Sequence, residues 1–379
     1  MKFSFHGMSK HEFHIMQLSE SKVIDKVRFP LAVFVVIWHT SMSTTIDPAS
    51  SIFFQRPSAF IYVLLSGSLS WVSVPTFFFI SGYLFFSNLG KWNWSKYVSK
   101  LQKRAHSLLI PFLLWICIYL VYSTPWIIHS GVNQWFSDHG WLRVFWDSNR
   151  IGENIDNLNN IIGMPMHHSF PVLTPMWYLR DLMIICFFSP IVYWFVTRLK
   201  EYGLLIVAIL TCLNIWIPIE GFSAIGFFFF TWGGYYRINN TSFVTIFKRY
   251  ELLSYIIVLF SVLLSLYYYT NNRLISEIFI KVYTVFGVIA VFNIANYAKT
   301  KVGNNNIYSE SSFFIYCSHI MMMGLWSILF SYIWQPQSEL AVILHYFLII
   351  TLTISSCILL YIIMSKRLPK LLKVLMGGR

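Results

Sequence analysis

The chain has 379 residues, 56% of them hydrophobic and 11% charged, with a mean hydropathy of +0.60, which excludes a water-soluble globule of this size. A formal net charge of +13 would suit a nucleic-acid binder, but the basic residues are distributed loop by loop in the pattern of membrane topology, so no nucleic-acid partner is expected. The five cysteines all fall within apolar runs, and no pair has metal-ligand or redox spacing, so neither a disulfide nor a metal site is expected.

The opening stretch, "MKFSFHGMSKHEFHIMQLSESK", mixes charges and histidines with apolar residues and lacks the uninterrupted apolar core of a cleaved signal. Residues 1–27 are therefore expected to remain as a cytoplasmic tail. Beyond them, runs each long enough to cross a hydrocarbon core of about 30 Å predict about ten spans. These lie at 29–46, 69–87, 107–124, 176–197, 203–218, 222–236, 252–270, 275–298, 311–332 and 341–364. The fold class is thus all-α, a polytopic membrane protein forming one integral-membrane domain over 1–379.

Basic clusters set the orientation. Lys22, Lys26 and Arg28 precede the first span, Lys96, Lys100, Lys103 and Arg104 follow the second, and Lys366, Arg367, Lys370 and Lys373 occupy the basic tail at 365–379. The intervening loops carry isolated charges such as Arg56, Glu220, Arg273 and Glu339, so both termini are predicted to be cytoplasmic. The outer loop at 125–175 is rich in Trp, Asn and short acids. It reads either as a sugar-binding surface or as an aromatic belt at the membrane interface.

In the first span, "KVRFPLAVFVVIWHT" places His39 eleven residues after Arg28. Eleven residues advance an α-helix only ~20° beyond three full turns, so the two would share a face about 16 Å apart along the axis. Pro30 suits a helix's first turn, which predicts that the helix begins there and leaves Arg28 just outside it. Arg28 alone reads as a topological anchor. His39, a titratable group near the middle of a span, is a functional-site candidate whose alternative is a histidine bonded to a backbone carbonyl.

Depth along the spans, at about 1.5 Å per residue, brings other polar groups level with this column. Ser81 and Gly82 of "FFFISGYLFF" fall about 8 to 12 Å above the cytoplasmic edge, His319 of "SFFIYCSHIMMM" about 12 Å, and Asp181 of "MWYLRDLMII" about 20 Å. Ser81 and Gly82 suit either close helix packing or a cavity wall, while Arg180 and Asp181 suit either a structural ion pair or a polar cavity.

Five motifs in order, "IDKVRFPLAVFVVIWHT", "FFFISGYLFF", "KRAHSLLIPFLLW", "MWYLRDLMIICFFSP" and "SSFFIYCSHIMMM", resemble those of the acyltransferase-3 family over nearly the whole chain. Members are integral-membrane enzymes that acylate hydroxyls of cell-surface carbohydrates. The resemblance implies a multi-pass enzyme of a bacterial cytoplasmic membrane, working in the lipid bilayer with an acyl-CoA donor, acetyl-CoA first among them, and a carbohydrate acceptor. It implies His39 as general base, with Asp181 or another polar neighbour orienting it, and Arg28 as a donor clamp assisted by Lys103 and Arg104. Ser81 and Gly82 would line the donor arm, while Arg180, His319 and Trp177 would face the acceptor. A different class, a polysaccharide or lipid-linked-sugar exporter, also suits many spans with buried charges, although no inverted repeat is evident.

Overall fold

The computed structural model of the chain describes residues 10–42, 56–87, 92–140, 143–151, 168–213, 215–217, 219–298 and 307–378. The start of the predicted tail (1–9), the end of the first predicted span (43–46) and parts of the outer loop (141–142 and 152–167) lie outside the described residues.

Helix α1 runs from Lys10 to His39 without interruption, with Pro30 inside it. This corrects the expected helix start at Pro30. A proline removes one hydrogen bond, to the carbonyl four residues back, and a long helix packed on several neighbours tolerates that loss. Lys26 Nζ donates to the Ala298 carbonyl at 2.7 Å, tying this part of α1 to a neighbouring helix. The helix stops at His39, seven residues short of the expected boundary. Thr40 then closes it with an Oγ1–H bond to the Val36 carbonyl.

The second span is built from α2 (Pro57–Leu65), a 3-10 turn at Leu69–Val72 and α3 (Ser73–Phe85). The third joins α4 (Trp94–Arg104) to α5 (Ile110–Tyr122) through a π-helical turn at Ala105–Leu109. That wide turn comes just before Pro111, where an α-helical ring would force the proline against a carbonyl. Short helices α6 (Thr124–Ser130) and α7 (Val132–His139) follow, then a two-stranded antiparallel ribbon pairing β1 (Asn149–Ile151) with β2 (His168–Phe170).

The predicted span at 176–197 is broken. α8 (Trp177–Phe187) meets α9 (Ser189–Cys212) at a bend of 66°, beside Pro190, and α9 itself kinks at Lys200, where φ is 49°. Then come α10 (Ala224–Ile238), α11 (Phe243–Arg249), the antiparallel pair α12 (Glu251–Tyr268) and α13 (Arg273–Tyr297), the pair α14 (Ile307–Ile333) and α15 (Glu339–Arg367), and a terminal α16 (Pro369–Leu375).

Among the described residues, six helical stretches are long and apolar enough to cross a membrane, or seven if the bent α8–α9 pair is one span. The remaining predicted spans differ for identifiable reasons. The last eighteen residues of α1 include Lys22, Asp25, Lys26 and Arg28. The fifteen residues of α10 rise only about 22 Å, and the second half of α9 is shorter still.

The core sits where α1 packs against α3, α13, α14 and α15. α3 and α10 approach backbone to backbone: a Cβ at Gly82 would collide with the Phe230 carbonyl, and one at Gly233 with the Phe79 carbonyl. Around that crossing Phe79 meets Trp232, Phe243, Phe247 and Phe292 with ring centroids 5.3 to 5.6 Å apart. Such offset and edge-on ring contacts add to the burial of apolar area.

Candidate active site

The unbroken α1 puts Arg28 and His39 on one rigid rod, on one face, about 16 Å apart. At its lower end Arg28 Nη1 pairs with Asp25 Oδ1 at 2.9 Å, one turn earlier, and both side chains are roughly one-third exposed (38% and 34%). At its upper end the His39 ring lies 5.2 Å from that of His319 on α14. Trp38 stacks beside His39 at 6.0 Å and meets Trp71 at 4.7 Å, closing one side of the pair with apolar rings.

From His319 a line of polar rings continues. Tyr316, one turn earlier on α14, is 6.5 Å from His319 and 5.8 Å from Tyr178 on α8. The Tyr178 hydroxyl is 2.9 Å from Ser81 Oγ on α3, and the Tyr316 hydroxyl donates to the Pro175 carbonyl. The structure therefore gathers His39, His319 and Ser81 from three separate helices into one seam. Trp177 packs on Phe78 of α3 at 6.1 Å beside it. Gly82, next to Ser81, faces the other way, into the α3–α10 contact.

Asp181 and Arg180 are both buried and joined: Arg180 Nε and Nη2 lie 3.0 Å from Asp181 Oδ1. Ser223, the N-cap of α10, lies on the other side of the Asp181 carboxyl. Arg180 Nη1 donates to the Trp146 carbonyl at 2.5 Å, and its guanidinium sits 5.5 Å from the Trp146 ring. These contacts anchor the outer loop to α8 and α10, and the ring beside His39 is His319 instead of the Asp181 carboxylate.

Lys103 and Arg104 end α4, where it rests on the end of α3. Lys100 Nζ donates to the Phe85 and Ser87 carbonyls at 2.5 and 2.7 Å, and Arg104 lies 5.9 Å from the Phe85 ring. Ser99, Gln102, Lys103, Ala105 and His106 line a shallow open depression at the π-helical turn.

Two features were missed in the sequence. Tyr178 and Tyr316 each lie within the motifs that carry Trp177 and His319, and the three-residue spacing of Tyr316 and His319 on one helix face was the available signal. The other is Glu20, fully buried although it falls in the expected tail. Its carboxylate accepts from the Tyr83 hydroxyl and from Ser242 Oγ at 2.8 Å, while Arg237 Nη1 donates to the Tyr83 hydroxyl at 3.2 Å. Burial pushes the Glu20 carboxyl up, and the bonds from Tyr83 and Ser242 and the Arg237 charge oppose that rise. The network locks the lower half of α1 to α3 and to the end of α10.

Long apolar helices around a seam of two histidines, tyrosines and a buried ion pair define a multi-pass membrane protein with a polar site inside its bundle. A family model described as an acyltransferase domain matches residues 22–362, and the chain belongs to this acyltransferase-3 family. It is a membrane acyltransferase. No curated protein and no solved structure gave a significant match.

Proposed function

We propose that the chain transfers an acyl group, acetyl above all, from a cytoplasmic acyl-CoA to a hydroxyl of a cell-surface or lipid-linked carbohydrate. Both termini are cytoplasmic in this reading, and about ten passes cross a bacterial inner membrane. The observation that carries it is the column on α1: Arg28 partway along the helix, His39 at its end, and no break between them.

Arg28 holds a phosphate of the donor, with Lys103 and Arg104 adding positive charge nearby. The pantetheine arm rises along α1 past Ser81, which sets the thioester beside His39, while Gly82, turned into the α3–α10 contact, has no part in the donor path. His39 takes the proton of the acceptor hydroxyl as its oxygen attacks the thioester carbonyl, which avoids a free alkoxide. The C–S bond breaks, and the departing thiolate takes that proton back from His39, leaving an ester and a free thiol. His39 is the last residue of α1, so the negative end of the helix dipole favours the positive charge the ring acquires. Arg180, Trp177 and the Asp181 carboxylate form the acceptor side. No metal takes part.

The test is mass spectrometry of surface glycans from cells expressing the chain and from cells expressing His39→Ala at equal level. Acyl-ester mass increments should appear only with the unaltered chain. Glycans without ester in both would remove carbohydrate as the acceptor, and ester in both would remove His39 as the base.

A further inference from the structure

His319 Nδ1 lies 3.1 Å from the Ile315 carbonyl oxygen and 2.8 Å from that of Tyr316. Both oxygens are acceptors, so Nδ1 must carry the proton. The other ring nitrogen, Nε2, is buried and has no hydrogen-bond partner among the described residues, and the residue as a whole is fully buried. A charged ring here would bury both a full charge and an unpaired N–H donor, which costs more than an unpaired lone pair. The ring is thus neutral with its tautomer fixed, and Nε2 offers a bare lone pair. Facing His319 at 5.2 Å between centroids is the His39 ring, itself only partly covered.

The geometry points to His319 as the positioning residue of the catalytic base: its Nε2 lone pair accepts the N–H of His39 and so holds the other His39 nitrogen, unprotonated, toward the acceptor hydroxyl. This rests on His39 being the base. Ring centroids 5.2 Å apart leave about 3 Å between nitrogens that point at one another, and such catalytic hydrogen bonds commonly tighten only when substrate is bound. The logic is that of a triad's third member, here played by a neutral imidazole in place of a carboxylate. Asp181 is otherwise occupied by Arg180. When His39 takes the acceptor proton it becomes doubly protonated, and His319 continues to accept from it until the thiolate leaving group removes that proton. His319 neither gains nor loses a proton overall.

Asparagine and glutamine at position 319 separate this role from a structural one. The asparagine amide overlies Nδ1 and keeps the donor to the Ile315 and Tyr316 carbonyls but has nothing at Nε2. The longer glutamine places a carbonyl oxygen, an acceptor, near Nε2. The assay is thiol release from acetyl-CoA by the purified full-length chain in detergent, with water standing in for the acceptor and rates normalised to monodisperse protein.

His319→Asn should lower kcat about ten- to a hundredfold with the acetyl-CoA KM unchanged, and His319→Gln should recover most of that loss. Equal rates for the two variants, a wild-type rate for His319→Asn, or a loss that follows only the folded fraction would make His319 structural and overturn the proposal. His39→Ala run alongside separates the two readings: full thiol release without His39 removes the base itself, whereas an inactive His39→Ala beside an unaffected His319→Asn removes only the positioning role.

Discussion

The α3–α10 crossing and the α1–α14 crossing lie in the same bundle and are built in opposite ways. At the first, Gly82 and Gly233 let two backbones touch and phenylalanine and tryptophan rings fill the surroundings, with the Arg237–Tyr83 hydrogen bond at one end. At the second, two histidine rings face each other between Trp38 and Tyr316, and one ring nitrogen has no partner among the described residues. Close packing stabilises a helix pair in a membrane through contact alone. Two imidazoles set against each other inside a membrane bundle add little to packing and cost more than apolar rings would, so their presence marks the second crossing as the one shaped by chemistry.

Substitutions at the two crossings should fail differently. His39→Ala is expected to reduce acyl transfer about a hundred- to ten-thousandfold, the range of a lost general base, while the protein inserts and elutes normally. Steady-state turnover of purified enzyme checks this, and retention of more than a small fraction of activity would return His39 to a structural role.

Arg28→Lys keeps the positive charge that fixes topology but loses the planar fork, so the acetyl-CoA KM should rise about ten- to a hundredfold. The acceptor KM should not move. An unchanged donor KM would leave Arg28 as a topological anchor.

Gly82→Ala carries the comparison to the apolar side: with the Phe230 carbonyl in the way, overpacking should cost about 1–3 kcal/mol or more. Thermal unfolding in detergent should occur at lower temperature, while turnover per folded molecule persists. A normally stable variant with a raised donor KM would instead place Gly82 in the wall of the donor channel.

The smallest effect is expected at Asp25, whose carboxylate competes with any phosphate for Arg28. Breaking a part-exposed pair of this kind by Asp25→Asn should lower the acetyl-CoA KM about two- to fivefold. A rise in KM would mean that Asp25 orients Arg28 for the donor instead of competing with it.

Much of this arrangement follows from local sequence. Apolar runs bounded by charges are enough to define membrane helices, because a backbone in hydrocarbon must satisfy its own hydrogen bonds. The alignment of Arg28 with His39 follows from the helical repeat alone, once a helix joins them. The sequence motifs likewise carried the family, which the match over 22–362 bears out.

Other features depended on contacts between distant segments. That α1 begins at Lys10 and runs through Pro30 depends on the neighbours that hold it, Glu20 bonded to Tyr83 and Ser242, and Lys26 to the Ala298 carbonyl. The 66° break after Phe187 and the kink at Lys200 interrupt an apolar run that hydropathy reads as continuous. Likewise, the sequence showed buried polar groups at His319, Asp181 and Ser81 without showing how they pair. Depth along a helix says how high a group sits in the membrane; the rotation and packing of each helix decide which groups meet at that height. Only the tertiary structure could therefore place His319 against His39 and Asp181 against Arg180 and Ser223.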